Sequence, residues 1–158
     1  MKKQFSYIAT FLLFFMSSCS TLRTAPETIK VITEKIESKN FTVGVNYANP
    51  LRMRPVYLTS EYEIRIKNDS AFAYLPYYGV AHVAQFESNE GGIKFAEPMI
   101  DYTMKSNKKL NGWDIRFKVK SKATQFDVLL SIADNGNSTI TVNSYDRDMI
   151  SFNGEIKK

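Results

Sequence analysis

The chain has 158 residues, a formal charge of +5, one cysteine and one histidine. That length suits one domain, the single cysteine excludes an internal disulfide, and the single histidine excludes a histidine-rich metal site within one chain. The positive charge does not indicate nucleic acid, because Arg65, Lys67, Arg116, Lys118 and Lys120 alternate with apolar neighbours as on a solvated strand face and form no dense patch.

Lys2 and Lys3 precede a mostly apolar run from Phe5 to Met16, too short for the ~20 residues of a membrane-spanning helix. Met16-Ser17-Ser18-Cys19 follows. Small residues directly before a cysteine are what a lipoprotein signal peptidase selects, because its site must admit the backbone closely around an acylated thiol. Residues 1–18 are therefore expected to be a lipoprotein signal peptide, Cys19 the lipidated mature N-terminus, residues 19–23 a tether, and residues 24–158 a single β-barrel domain. Met16 stands where leucine is commonest. Lipidation accounts for the lone thiol of an exported chain, and several acyl chains, at about 0.8 kcal/mol per buried methylene, would make attachment permanent. Ser20 follows the cysteine instead of aspartate, and no acidic run comes after it. Both features point to an outer-membrane location facing the periplasm. Loss of Lys2 and Lys3 lowers the formal charge to +3.

Thr24 and Glu27 have the spacing of a capping box, and Pro26 falls in a first turn, where its missing N–H is tolerated. Ile29, Ile32 and Ile36 then share one helical face, which predicts a helix over 25–38 docked on the domain. After about Asn40 the apolar period changes to two. Tyr62, Ile64 and Ile66 alternate with charged neighbours, as do Trp113, Ile115, Phe117 and Val119, and Phe126, Val128, Leu130 and Ile132 continue the pattern. About eight strands are predicted, near 41–48, 55–67, 70–78, 93–104, 112–121, 124–133, 138–144 and 149–156. Asn111-Gly112 and Asn135-Gly136 are the strongest turn signals, with Asn68-Asp69 and Tyr145-Asp146-Arg147-Asp148 as further turns. Pro98 should interrupt the fourth strand at an edge or bulge, and Gly79 to Gly92 should be an exposed loop. Apolar faces that must meet one another make this an all-β antiparallel meander, closed into a small β-barrel, with the helix over one end or flank.

The strand near 70–78 has no polar face. Phe72, Tyr74 and Tyr78 share one parity; Ala71, Ala73, Leu75 and Tyr77 share the other. One side faces the core, and the second must be covered by the N-terminal helix or by a ligand or partner. Tyr74, Leu75, Tyr77 and Tyr78 are thus the candidate recognition surface, tyrosine bringing a rigid apolar body with a polar tip.

Four stretches, Val56-Tyr57-Leu58-Thr59-Ser60, Ala73-Tyr74-Leu75-Pro76-Tyr77-Tyr78-Gly79, Gly91-Gly92-Ile93-Lys94-Phe95 and Thr141-Val142-Asn143-Ser144, together resemble the small exported proteins of Bacteroides-type bacteria grouped as domain of unknown function four-two-five-one. The resemblance spans about Glu34 to Ile156. It implies a lipocalin-like barrel and a cell-envelope setting, and it implies no reaction and no catalytic residues.

Signs of catalysis are weak. His82 lies between Ala81 and Val83 without a Gly-x-Ser-x-Gly elbow elsewhere. Glu61, Glu63, Asp101 and Asp114 fall on polar strand faces, where solvation explains them. Gly91-Gly92 lacks the Lys-Ser/Thr of a phosphate cradle. No cofactor, metal or nucleic acid is indicated. The expected function is a non-catalytic envelope lipoprotein that binds a small apolar ligand or an envelope protein, with the membrane as a partner through its lipid. An accessory role in an outer-membrane complex is the alternative, and a hydrolase is a distant one.

Overall fold

The computed structural model describes residues 24–82 and 92–157. The expected signal peptide, Cys19 and tether lie outside the described residues, as does most of the loop predicted from Gly79 to Gly92. A helix α1 (Pro26–Glu37) precedes nine strands: β1 (Asn40–Pro50), β2 (Val56–Lys67), β3 (Ser70–Pro76), β4 (Gly92–Pro98), β5 (Ile100–Asn107), β6 (Gly112–Ser121), β7 (Thr124–Ile132), β8 (Asn137–Ser144) and β9 (Arg147–Ile156).

Alternation dictates which way each strand faces. Ile115, Phe117 and Val119 of β6 are buried while Arg116 and Lys120 are exposed, and Phe126, Val128, Leu130 and Ile132 of β7 are buried opposite them. Trp113 is half-buried against the same core. The strands form one antiparallel sheet in the order β4-β3-β2-β1-β9-β8-β7-β6-β5. Both edges of this order, β4 and β5, are consecutive in sequence, so the sheet curls into a nearly closed barrel whose seam lies mid-chain. Its interior holds the chain's own side chains, among them Ile64, Leu75, Ile115, Leu130, Ile140 and Phe152.

The strand predicted over 93–104 is two strands, which makes nine instead of about eight. Pro98 has no N–H to continue a ladder, the Met99 N–H donates to Asp69 O at 2.7 Å, and Asp101 takes a φ of 55° beside a register shift. The chain thus leaves β3 as its partner and joins β6. A second difference lies at the last hairpin: Arg147 and Asp148, expected in a turn, belong to β9, and the turn proper is Tyr145-Asp146. At Asn135-Gly136 the glycine takes the positive φ, 90°, but at Asn111-Gly112 the two residues divide the work. Asn111 takes the positive φ of 50°, whereas Gly112 is needed because a Cβ there would run into the Ile132 carbonyl.

The helix departs from expectation at its start. No side chain caps it; Ala25 is the N-cap, and Thr24 Oγ1 instead donates to Asp134 Oδ1 at 3.3 Å. Ile32 and Ile36 are buried in the core, with Ile32 above Gly136 in the β7–β8 turn. Lys35 Nζ donates to the Lys157 carbonyl at 3.0 Å, and the Asn68 N–H to the Lys39 carbonyl at 2.8 Å. The helix therefore closes the barrel end formed by the start of β1, the β2–β3 and β7–β8 turns and the end of β9. It does not cover the outer side of β3, where it was one of the two expected occupants. The side of β3 that faces the core is Ala71, Ala73 and Leu75; Phe72 and Tyr74 face outward.

Candidate functional site

The opposite end of the barrel carries the buried charges found among the described residues. Ser144, Asp146, Arg147 and Asp148 are all buried where β8 turns into β9. A carboxylate survives there only if its oxygens are filled. Asp146 Oδ1 accepts from Ser144 Oγ at 2.6 Å and Arg147 Nε at 3.4 Å, and Oδ2 accepts from Arg147 Nη2 at 3.0 Å and Thr124 Oγ1 at 3.3 Å. The Arg147 guanidinium lies 5.0 Å from the Tyr77 ring centre and 5.8 Å from that of Phe126, so aromatic faces replace the water it has lost. Phe126 in turn packs on Phe95 at 5.5 Å.

The segment after β3 straps across this end. Ala81 bridges Arg147, the His82 N–H donates to Asp146 O at 2.7 Å, and the Asp148 N–H donates to Val80 O at 3.0 Å. The Tyr77 hydroxyl shares its proton between the carbonyls of Val80 at 3.0 Å and Asp148 at 3.1 Å. Burial first, and then the Asp148 carboxylate, push the Tyr77 phenol above its ordinary value of 10.0. His82 Nε2 stands 3.0 Å from Asp148 Oδ1. Arg52 Nε, from the β1–β2 hairpin, stands 3.0 Å from Asp148 Oδ2, an ion pair without the alignment of a hydrogen bond. Four chain segments, 51–55, 77–82, 124 and 144–148, are thereby locked together. The hydroxyls of Ser144, Thr124 and Tyr77 all act as donors inside this network.

Around the lock the surface is apolar and cationic. Leu51, Met53, Val80, Tyr145 and Met149 are exposed large hydrophobics, and Arg54 and Lys122 are exposed beside them. The exposed hydrophobics continue down the outer wall as Tyr47 and Tyr57, edge to face at 5.2 Å.

The four residues expected to form one surface are not brought together. Leu75 is core; Tyr77 belongs to the charged lock; Tyr78 is half-buried against the core; Tyr74 is on the outer wall, stacked on Tyr62 at 5.4 Å with Lys94 Nζ 4.9 Å from its ring centre. Of the four carboxylates considered for acid–base work, Glu61 is exposed on β2 two residues before Glu63, Glu63 pairs with Lys157, Asp101 pairs with Lys118, and Asp114 accepts from Ser131 and Asn107. Sequence reasoning missed Asp146, Arg147 and Asp148. Their one signal was opposite charges in immediate succession beside strand residues, which a turn also tolerates. Among the described residues no group of acidic, histidine or cysteine side chains has the arrangement of a metal site.

The family model for a domain of unknown function, DUF4251, matches residues 24–156. The chain belongs to the DUF4251 family. A crystal structure of a DUF4251 family protein from Bacteroides eggerthii DSM 20697 is similar to this chain at a TM-score of 0.63 and 12% identity, covering 82% of this chain and 87% of that one. At that identity the likeness is one of fold. It bears out the barrel architecture implied by the resemblance of the four stretches. No curated protein matches.

Proposed function

We propose that this DUF4251 protein is a lipid-anchored, non-catalytic recognition module of the bacterial envelope, held to the outer membrane through Cys19 and facing the periplasm. It meets an envelope protein with the barrel end opposite the helix. The observation that carries the choice of a protein partner over a small apolar ligand is the filled barrel. The interior is taken up by side chains such as Phe117, Leu130, Ile140 and Phe152, while Leu51, Met53, Val80, Tyr145 and Met149 crowd the rim outside. Grouped exposed apolar residues mark contact surfaces. Arg54 and Lys122 add positive charge to that rim, which suits a partner with acidic residues around an apolar centre. Thr24 is bonded at the helix end, so a lipid on nearby Cys19 would leave the rim pointing away from the membrane. If the partner is an outer-membrane assembly, the protein is its accessory subunit.

The test has two arms. Cys19→Ala should abolish incorporation of labelled fatty acid and release the protein to the soluble fraction; labelling that persists overturns the anchor. A photo-cross-linker placed at Leu51 or at Met53 in the living cell should trap one and the same protein, and one placed at Lys105, remote from the rim, should not. Equal trapping from all three positions would refute the rim as the contact surface.

A further inference from the structure

The outer wall of the barrel is of two kinds. On β2 and β6 the outward positions are charged, as Glu63, Arg65 and Lys67 and as Asp114, Arg116, Lys118 and Lys120, the usual means by which a strand faces water. On β1, β9 and β8 the charge is confined to Glu155, level with Gly44 and Asn137 near the helix end, and the outward positions beyond it toward the rim carry none. The ladder registers set Tyr57, Tyr47, Asn153 and Thr139 side by side in one row across four strands, and Asn49, Ser151 and Thr141 in the next. In a chain with 37 acidic and basic side chains, leaving both rows uncharged on three adjacent strands is a departure from how the rest of the wall is solvated.

We infer that this face binds an uncharged polysaccharide. Each polar residue of the rows offers a donor and an acceptor together, the carboxamides of Asn49 and Asn153 and the hydroxyls of Ser151, Thr139 and Thr141, which is what a chain of sugar hydroxyls requires. Asn49 Nδ2 donates to Asn153 Oδ1 at 3.2 Å, so part of the row is already oriented. Tyr57 is 63% and Tyr47 43% exposed, and their interplanar angle of 65° leaves ring surface open for the apolar C–H face of a sugar ring. Strands stand about 4.8 Å apart, so a row of four residues extends over roughly 14 Å. That is a linear array matched to a repeating chain more than to a compact ligand. Nucleic acid, anionic glycans and acidic lipid head groups all need cations, and a protein surface brings charges that this face does not answer.

The experiment is affinity electrophoresis of the full chain, held in a detergent without a sugar head group, through gels containing α-mannan, starch, β-glucan or xylan, with polygalacturonate and chondroitin sulfate as charged controls. At least one neutral polymer should retard the protein, and raising salt from about 50 to 500 mM should leave the retardation unchanged, because no ion pair is involved. Tyr57→Ala, at an exposed position whose loss leaves folding intact by its melting curve, should weaken binding about tenfold. Thr139→Lys should do likewise, whereas Arg65→Ala on the charged wall should not. Retardation by none of the four neutral polymers overturns the inference, as does binding confined to the charged controls or binding that Tyr57→Ala and Thr139→Lys leave intact.

Discussion

Asp146 accepts four hydrogen bonds in a place where water cannot reach it, and Arg147 completes them from the next position along the chain. Because charge and countercharge are buried together, removing one strands the other. Asp146→Ala should cost about 3–5 kcal/mol by denaturant titration, and adding Arg147→Met to it should restore part of that loss, since an apolar side chain then fills the space between Tyr77 and Phe126. A double variant no more stable than the single one would mean that Arg147 is held by groups other than Asp146. Tyr77 gives a matching test at high pH. Its phenol titrates above 10.0 in the folded state, chiefly through burial. The stability tied to the neutral phenol is therefore complete below pH 10.0 and lost as pH rises through the folded value. Tyr77→Phe should cost about 1 kcal/mol at neutral pH for the lost hydrogen bonding, and it should flatten part of the alkaline decline. Tyr102, raised likewise by burial, and Lys118 and Lys157, raised by their bonds to Asp101 and Glu63, contribute to what remains. An unchanged alkaline limb in urea melts across pH 8 to 11 would count against the assignment.

At the scale of elements, the strands were legible wherever one side is wet and the other dry. β6 and β7 were placed to within a residue because Arg116 and Lys120 alternate with Ile115, Phe117 and Val119. Legibility failed where tertiary geometry overrides local pattern. Nothing in the run from Gly92 to Asn107 says that its two halves pair at opposite edges of a sheet; only Pro98 marks the break. The charged run at Asp146 reads as a wet turn because the segment that buries it, Tyr77 to His82, is remote in sequence. Thr24 and Glu27 have the right spacing for a capping box, but Asp134 in the β7–β8 turn competes for the Thr24 hydroxyl and takes it. The helix holds by packing instead. Ile36→Ala should cost about 2–5 kcal/mol, and Val31→Ala, on the exposed side of the same helix, should stay within about 0.5 kcal/mol. Comparable losses from the two in chemical denaturation would show that the helix stands on a different face.

For the whole molecule, the decisive property is that the barrel interior, among the described residues, is taken up by the chain's own side chains. Lipocalin-like architecture invites the expectation of a ligand inside, yet the inward side chains, Ile64, Ile115, Leu130, Ile140 and Phe152 among them, are wholly buried in one cluster. Titration with a long-chain fatty acid should leave the fluorescence of Trp113, the sole tryptophan, unchanged, and should not raise the melting temperature. A saturable change in both would show that the interior opens to admit a guest, and would return the small-ligand reading to first place.

The seam between β4 and β5 has a consequence for how the molecule is made. Since the break lies mid-chain, the first strand synthesised and the last are neighbours, bonded along β1 and β9. A growing chain can pair β1 through β4 into one hairpin series and β5 through β8 into another, but each series keeps a bare edge until the final residues arrive. Such late, long-range pairing slows assembly and prolongs exposure to wrong partners. The C-terminal strand thus serves as the keystone: a product cut short before Arg147 is two unjoined half-sheets, so completeness of synthesis is itself a condition of folding.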